Sequence, residues 1–360
     1  MSKRRRIIYL GWQGYHNFGD DLIHQTWQTA LGDPLDIEAP LAPLADSGRV
    51  ALRTLGHRLR LAGTERIVLL GGGTALGFDI WGEHAQRALS LYRADSLVIA
   101  GAGAPASHDG FALGLFPANW ARWQGISDVA LLGVRGPLSR DECATHWRDT
   151  TVIGDPALLY PRLVPLRPAP GERHIIGVCL GAAPASRFDT ATVVEAVRSY
   201  RSTHPDSTVR VLQLADTDAE VSRTLAEQLR AEVVVFRDGV QSMMESIADC
   251  SILLSERLHG TIAAVACGVP AVPLSYATKC DDFWLSVTGE LPLLTPGTTR
   301  DQILAELHRA TDPVRLAETA GRVERLQERL LAAVATLRHW QNGEISTEQL
   351  SAPDSAEALR

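Results

Sequence analysis

Segment 255–261 (SERLHGT) carries the residue types and spacing best suited to chemistry in this sequence. It follows the short β-rich run 251–254 and precedes an apolar run that predicts a helix over 262–267. Arg257 and His259, two residues apart at this strand-to-helix transition, would carry a desolvation cost unless an anion met them. We therefore expect both side chains to serve an anionic ligand, with Gly260 and Thr261 contributing to its binding at the start of the helix.

A second arginine, Arg135, lies at the end of another predicted strand, in segment 133–141 (GVRGPLSRD). Pro137 is placed to open the helix that follows. An arginine at the carboxyl end of a strand can bind a carboxylate or a phosphate through two parallel hydrogen bonds. We expect Arg135 to bind substrate, whereas Arg140 is expected to be a surface residue or the ion-pair partner of Asp141.

A glycine-rich segment, 11–21 (GWQGYHNFGDD), lies between the first predicted strand and a helix predicted over 22–31. Glycines there let the backbone approach a ligand, and a helix N-terminus favours an anionic group. We assign Gly14, Asn17, Asp20 and Asp21 to the site on this basis. The two aspartates could equally be the N-cap and first-turn acids of the helix.

A second glycine segment, 71–74 (GGGT), contributes Gly72, Gly73 and Thr74 to the predicted site. Three consecutive glycines at a strand end suggest that the backbone comes very close to a ligand, although close strand-to-helix packing is an alternative. Neither glycine segment has the G-x-G-x-x-G spacing, so the sequence does not favour a dinucleotide site.

Short apolar runs alternate with amphipathic stretches along the chain, which predicts buried parallel strands separated by helices. Four prolines and a glycine within 161–171 are unsuited to a helix or a central strand, so we place an interdomain linker there. The predicted class is α/β and GT-B-like, with two Rossmann-like, doubly wound domains facing a central cleft. We expect domains at 1–165 and 172–312, a helix over 313–340 that packs on them, and a flexible tail over 341–360. The predicted strands lie at 7–10, 67–70, 97–100, 129–132 and 151–153, and then at 175–180, 209–212, 233–236, 251–254 and 271–274.

Composition excludes several classes of protein. The 360 residues include 35 Lys and Arg against 42 Asp and Glu, and this net charge of −7 argues against a nucleic-acid partner. The 5 cysteines and 11 histidines form no C-x-x-C or H-x-x-x-H pair, so we expect no bound metal. No stretch reaches about 18 apolar residues, so no integral membrane segment is expected. The scattered cysteines favour a cytoplasmic protein, and a peripheral position at the inner membrane face is left open.

Together these motifs resemble those of the polysaccharide pyruvyl transferase family. The likeness runs from about residue 7 to 285 in the expected order, and the set is more specific than any single glycine motif. The motifs that carry it are 14–21 (GYHNFGDD), 71–74 (GGGT), 133–136 (GVRG), 154–157 (GDPA) and, above all, 255–260 (SERLHG).

The resemblance implies a GT-B-like fold and a specific reaction. The pyruvyl group of phosphoenolpyruvate would be transferred onto two hydroxyls of a sugar in a glycan, a glycolipid precursor or a glycosylated metabolite. A cyclic ketal would form and phosphate would be released, with no metal or other cofactor beyond phosphoenolpyruvate as co-substrate. The expected partners are therefore phosphoenolpyruvate and a sugar or lipid-linked glycan acceptor.

The same resemblance implies roles for the residues that match the motifs. His259 would protonate the enol methylene, a task that suits a side chain whose pKa lies near the working pH. Arg257 and Arg135 would hold the carboxylate and the phosphate. From position in the sequence alone, and not from the resemblance, we expect Asp20, which we group with the catalytic residues, or Asp21 or Asp155 to deprotonate the acceptor hydroxyls. The donor is expected on the second domain and the acceptor on the first.

Two alternatives remain open at the level of sequence. Segment 260–270, which ends in CGVP, also resembles the donor site of a GT-B glycosyltransferase that uses a nucleotide sugar. A non-catalytic GT-B-like scaffold that only binds a partner is the other alternative, and the intact Arg-Leu-His triplet at 257–259 argues against it. The sugar, its hydroxyl pair and the oligomeric state are not determined by the sequence.

Overall fold

A computed structural model describes residues 5–32, 35, 39, 41, 56–57, 59, 61–167, 174–181 and 186–350 of the chain. Contacts divide the chain into two compact units. The first unit comprises Met1–Trp12, Thr26–Pro156 and Leu326–Arg360, and the second comprises Gln13–Gln25 and Ala157–Arg325. A short N-terminal segment, Gln13–Gln25, therefore groups with the C-terminal half of the chain.

Within the described residues, the first unit contains a parallel sheet of four strands in the order β1-β2-β3-β4. Register pairs such as Ile7 with Ile67 align these strands, and their central residues are buried on both faces. Burial on both faces explains why the strands are near-continuous runs of Ile, Val and Leu rather than alternating patterns. The strands are β1 (Arg5–Leu10), β2 (Glu65–Leu70), β3 (Ser96–Ala102) and β4 (Val129–Val134).

Helices connect these strands, and their ends follow local sequence signals. Asp109 and Asn119 cap two short helices by accepting hydrogen bonds from the backbone N–H groups of Ala112 and Arg122. Pro137 occupies the first turn of its helix, as predicted, where its missing N–H costs nothing. The helices are α1 (Phe18–Leu31), which begins in the second unit, α2 (Asp79–Tyr92), α3 (Gly110–Leu115), α4 (Trp120–Gln124) and α5 (Pro137–His146).

The second unit contains a parallel sheet of five strands in the order β7-β6-β5-β8-β9. This is the Rossmann order, in which the direction of the connections reverses between the first and fourth strands of the unit, here β5 and β8. Open α/β sheets bind ligands at the carboxyl ends of the two strands that flank such a reversal. The strands are β5 (Ile175–Cys179), β6 (Thr208–Gln213), β7 (Glu232–Val235), β8 (Ile252–Ser255) and β9 (Ala271–Pro273).

The remaining helices follow in chain order to the end of the described chain, and the residues beyond 325 belong to the first unit. They are α6 (Tyr160–Leu163), α7 (Thr190–Ser202), α8 (Ala219–Leu229), α9 (Val240–Ala248), α10 (Leu258–Ala266), α11 (Thr278–Thr288), α12 (Arg300–Ala310), α13 (Pro313–Asn342) and α14 (Thr347–Leu350), with 3-10 turns at Pro156–Leu159 and Asp216–Asp218. Among the helices of the described ranges, none is long and apolar enough to cross a membrane.

Four expectations about the elements were wrong. The strand predicted at 151–153 is a single bridge between Val152 and Val134. Helix α1 begins at Phe18 rather than at 22, and α10 begins at Leu258 rather than at 262, because glycines and polar residues fill both first turns. Segment 161–171 was expected to exclude a helix, but α6 covers its start because Pro161 lies in the first turn, where the helix needs no N–H.

Two predicted features fall partly outside the description. Residues 168–171 of the predicted linker and residues 351–360 of the predicted tail lie outside the described residues. Within the part of the predicted tail that is described, α14 ends at Leu350, whose side chain is buried.

Candidate functional site

The predicted SERLHG motif lies in the second unit, where β8 passes into α10. Strand β8 ends at Ser255, and Arg257 occupies the N-cap position of α10 with extended backbone angles. The hydroxyl of Ser255 donates a hydrogen bond to the carbonyl oxygen of Arg257 at 2.8 Å. A Cβ added at Gly260 would lie only 2.4 Å from Ser255 Oγ, so this tight turn requires glycine there. The turn directs Arg257 and His259 to the carboxyl edge of the sheet, beside β5.

Glu256, the acid of this motif, is fully buried and acts as a structural anchor. Its carboxylate accepts hydrogen bonds from the backbone N–H of Gly181 at 2.9 Å and of Arg187 at 2.7 Å. It also accepts one from the hydroxyl of Ser186 at 2.8 Å. Three donors compensate the desolvation of the buried carboxylate. Glu256 therefore fixes the segment that follows β5 against the end of β8.

Arg257 forms a buried ion pair with Asp218, which lies in the turn after β6. Arg257 Nε donates to Asp218 Oδ1 at 3.2 Å and Oδ2 at 3.0 Å, and Nη2 donates to Oδ1 and to the hydroxyl of Thr217. The Asp218 side chain is 1% exposed and that of Arg257 is 15% exposed. Burial lowers the pKa of Arg257, but the hydrogen bond and charge of Asp218 outweigh it and hold the pKa above its usual value.

This ion pair changes what Arg257 can offer a ligand. The anion that the sequence analysis expected from a ligand is supplied, at least in part, by Asp218 of the same chain. The described contacts of the guanidinium use Nε and Nη2. Nη1, with two N–H donors, is the nitrogen that could bind an additional anion.

His259 is half-buried in the first turn of α10 and packs against the start of α1. A Cβ added at Gly19 would lie 2.0 Å from His259 Nδ1, so the backbone of Gly19 lies directly on the imidazole ring. Asn17 forms an antiparallel bridge with Ala215, next to the turn that carries Asp218. The structure thus brings Asn17 and His259, which are 242 positions apart in the sequence, into one region of the second unit.

The other predicted residues of this N-terminal segment stabilise its conformation. Gly14 has φ +80°, and its N–H donates to Asp21 Oδ1 at 2.6 Å. The side chain of Asn17 accepts a hydrogen bond from the N–H of Gly19 at 3.1 Å. Asp20 and Asp21 are both in the first turn of α1, the position that the sequence analysis gave as the alternative to a substrate contact. Acids there interact favourably with the helix dipole.

Lys279 and Tyr276 lie beyond β9, the strand next to β8, and were not predicted from the sequence. Lys279 Nζ lies 4.9 Å from the centre of the Tyr276 ring. Burial lowers the pKa of Lys279, but Tyr276 and Cys280 outweigh it and keep the pKa above its usual value, while the charge of Arg257 opposes them. Because β8 and β9 are adjacent and parallel, Arg257 and Lys279 both lie in segments that follow the carboxyl ends of these strands.

In the first unit, Arg135 is fully buried at the end of β4. Its Nη1 donates to the hydroxyl of Thr74 at 3.1 Å, so the predicted GGGT and GVRG motifs meet in the structure. A Cβ added at Gly103, in the segment after β3, would lie 2.3 Å from Arg135 Nη2. Glycine at 103 is therefore needed to admit the guanidinium.

The glycines of the GGGT motif have different roles. Gly71 packs against Trp27, whose indole N–H donates to the Gly71 carbonyl oxygen at 2.6 Å, and a Cβ there would overlap the indole. Close packing therefore explains this glycine. Gly72 and Gly73 have φ of 147° and 74°, and a Cβ added at Gly73 would meet no atom within 4 Å. The backbone at Gly73 faces open space, as a ligand contact would require.

The predicted site residues thus form two groups, one in each unit. Arg135, Gly72, Gly73 and Thr74 are in the first unit. The second unit holds Gly14, Asn17, Asp20, Asp21, Arg257, His259, Gly260 and Thr261. Thr261 is buried within α10, and Asp155, the alternative acceptor base, is fully buried in the first unit.

Comparison with known protein families matches residues 17–278 to the family described as polysaccharide pyruvyl transferase. The match covers more than half of the chain and includes the motifs of both groups, apart from residues 14–16 of the first motif. The chain belongs to the polysaccharide pyruvyl transferase family. This finding confirms the resemblance drawn from the motifs. No curated protein sequence matches this member of the family.

Solved structures similar to this pyruvyl transferase family member share its fold at low sequence identity. S. aureus MnaA in a structure with UDP has a TM-score of 0.61 and 12% identity, over 94% of this chain and 97% of that one. A UDP-N-acetylglucosamine 2-epimerase has a TM-score of 0.60 and 14% identity, over 96% and 98%. The UDP-GlcNAc 2-epimerase from Neisseria meningitidis has 0.54 and 10%, over 91% and 100%. The predicted GT-B-like α/β fold is confirmed.

Three residues of the candidate site in this family member were missed in the sequence: Asp218, Lys279 and Gly19. Asp218 lies in segment 216–218 (DTD), which is outside the motifs that carry the resemblance. Lys279 lies six residues after the end of β9, in the first turn of α11, and no motif or spacing in the sequence singles it out. Gly19 stands within the first quoted motif, but nothing in the sequence connects it to His259.

Proposed function

We propose that the protein transfers the pyruvyl group of phosphoenolpyruvate onto two hydroxyls of a sugar, forming a cyclic ketal and releasing phosphate. The observation that carries this proposal is the placement of His259, Arg257 and Lys279 at the carboxyl edge of adjacent strands in the second unit. The two cations, Arg257 and Lys279, suit a small donor with two or three negative charges. The imidazole of His259 suits a donor that must be protonated on carbon. Membership of the pyruvyl transferase family supports the same reaction.

The reaction divides into steps that a histidine and fixed cations can serve. His259 donates a proton to the methylene carbon of phosphoenolpyruvate, and the electron pair of the double bond forms the new C–H bond. The oxocarbenium that results at C2 is attacked by the first sugar hydroxyl, which loses its proton. The C–O bond to phosphate then breaks, and its electron pair leaves with the phosphate, so that an oxocarbenium forms again at C2. The second hydroxyl attacks this carbon and loses its proton, and of the two protons released one returns to His259 and the other is taken up by the phosphate. The net change is phosphoenolpyruvate plus a diol giving a ketal plus inorganic phosphate.

The donor's charge is met by fixed side chains in this proposal. Arg257 offers Nη1, while Asp218 and Thr217 hold the rest of its guanidinium in place. Lys279 supplies a compact point charge suited to a phosphate. Arg135, buried and held by Thr74, is the second arginine that we assign to the donor's anionic groups. Preorganised donors of this kind stabilise developing charge without reorganisation at the moment of reaction.

The proposed reaction uses no metal or additional cofactor. Across the residues that the structure describes, no group of three or more His, Cys, Asp or Glu side chains could hold a metal ion. Asp20 is proposed to deprotonate an acceptor hydroxyl, because it lies one residue from Gly19, which contacts His259. The acceptor is proposed to be a sugar of a glycan or lipid-linked precursor.

The proposal is tested by incubating the purified protein with phosphoenolpyruvate and a panel of glycosides, followed by mass spectrometry. The product should gain about 70 Da, the mass of the ketal-linked pyruvyl group, with one phosphate released per product. His259→Ala should lower the rate of this gain by about 10² to 10⁴, whereas His174→Ala, which removes an exposed histidine of the same unit, should leave it unchanged. Transfer from a nucleotide sugar in a parallel panel would instead support the glycosyltransferase alternative, and binding without turnover of any donor would support the scaffold alternative.

A further inference from the structure

The backbone at Gly19, in the first turn of helix α1, lies so close to His259 that no side chain fits at position 19. A Cβ built at Gly19 would lie 2.0 Å from His259 Nδ1, 2.4 Å from Cγ and 2.8 Å from Cε1. Distances below 3.0 Å essentially never occur for a real Cβ, so even alanine at position 19 must displace the imidazole or the helix. Gly19 has an ordinary helical backbone, and its glycine is therefore not explained by a positive φ.

The helix start is fixed on the second unit and cannot easily withdraw from the ring. The N–H of Phe18 donates to the carbonyl oxygen of Leu214 at 2.9 Å, and Asn17 bridges Ala215. The Phe18 ring is fully buried and makes an edge contact with Phe236 at 5.5 Å between centroids. With the backbone held at positions 17 and 18, directly before Gly19, the imidazole is the group that must move when a side chain is added there.

We propose that Gly19 is a positioning residue that sets the orientation of the His259 ring through its missing side chain. This inference rests on the proposed function, in which His259 transfers a proton to the donor. Proton transfer needs the ring nitrogen within hydrogen-bond distance of the reacting carbon, and a misplacement of about 1 Å can cost about 100-fold in rate. A segment of the N-terminal part of the chain thus completes the histidine site of the second unit.

The test compares Gly19→Ala, His259→Ala and the double variant. Gly19→Ala should lower kcat about 100-fold while the KM for phosphoenolpyruvate changes less than about threefold, because the donor's cations are untouched. It should lower Tm by about 2–12 °C through overpacking, although alanine is the better helix former. In the His259→Ala background the ring is gone, so Gly19→Ala should lower neither Tm nor kcat further.

Gly114→Ala is the matched control, because this glycine also lies in a helix and a Cβ there would meet no atom within 4 Å. It should change neither kcat nor Tm appreciably. An equal loss of Tm from Gly19→Ala in both backgrounds, or retention of full kcat, overturns the proposal. The Tm comparison requires no activity and can therefore be made whether or not the protein transfers a pyruvyl group. If Gly19→Ala lowers Tm only when His259 is present, the contact is established. If the same protein transfers no pyruvyl group, the proposed function is rejected independently of that contact.

Discussion

Neutralising Asp218 should destabilise the second unit strongly, because Asp218 is the buried partner of Arg257. Asp218→Asn keeps the size of the side chain and removes its charge. The aspartate is 1% exposed and the arginine 15% exposed, so water can replace little of the lost interaction. Asp218 also accepts a hydrogen bond from the N–H of Ala215 at 3.1 Å, which ties the turn after β6 to the same carboxylate.

The expected loss can be estimated from this geometry. Removing one partner of a buried ion pair costs about 3–5 kcal/mol in the free energy of unfolding. We expect about 3 kcal/mol, the lower end, because the asparagine oxygen can still accept one N–H and Arg257 retains some solvent contact. For a unit of this size, about 3 kcal/mol corresponds to a fall of about 6–12 °C in Tm.

Thermal unfolding of Asp218→Asn, Arg257→Met and the double variant measures this directly. Asp216→Asn is the control, because Asp216 lies in the same 3-10 turn with an exposed side chain. We expect Tm to change by less than about 2 °C in the control, since surface changes are usually within about 0.5 kcal/mol. The double variant should be more stable than either single variant, since it buries no unpaired charge. Additive losses, or an Asp218→Asn protein as stable as the control, would refute the buried ion pair.

Four further outcomes are expected. His259→Ala should lower kcat by about 10² to 10⁴ with little change in the KM for phosphoenolpyruvate, and steady-state kinetics showing near-full turnover would reject its role as the acid. Arg135→Lys should weaken phosphoenolpyruvate binding about tenfold, because a point charge cannot reproduce the guanidinium fork, and an unchanged affinity in a calorimetric titration would contradict this. The rate in excess EDTA should match the rate with Mg²⁺ or Mn²⁺ within about twofold at matched ionic strength, whereas a tenfold loss restored by one ion would show a metal requirement. Burial raises the pKa of Cys267 from 9.0 to about 12. Its alkylation by iodoacetamide near neutral pH should therefore be about 1000-fold slower in the folded than in the unfolded protein, as followed by peptide mass spectrometry, and similar rates would contradict this.

The sequence predicted the elements of the fold well where the signal is local. Short apolar runs located nine of the ten predicted strands, and the helix predicted over 313–340 matches α13 (Pro313–Asn342). The first residues of helices were predicted less well, because the helical spacing of apolar residues begins several residues after the helix itself. Leu258 and Phe18 begin helices whose first turns contain glycine and polar residues, which carry no helical period.

The sequence predicted which motifs contribute residues to the candidate site, but it did not predict which residues those motifs contact. Arg257 and His259 stand out because charged and titratable residues at a strand end are costly without a ligand. Their partners are set by tertiary structure. Asp218 is 39 residues from Arg257, and Gly19 reaches His259 only because its segment packs on the second unit. Hydrophobic period and residue spacing contain no information about such pairs, so only the structure identifies them.

The central claim is that pyruvyl transfer begins with a proton delivered to the methylene carbon of phosphoenolpyruvate. Running the reaction in D₂O and returning the product to H₂O before mass spectrometry tests it, because sugar hydroxyls exchange back and carbon-bound deuterium does not. The account predicts a gain of about 71 Da in place of about 70, with the one deuterium in the methyl group of the ketal and equal release of phosphate. A product without carbon-bound deuterium, or no ketal product from phosphoenolpyruvate at all, would contradict it.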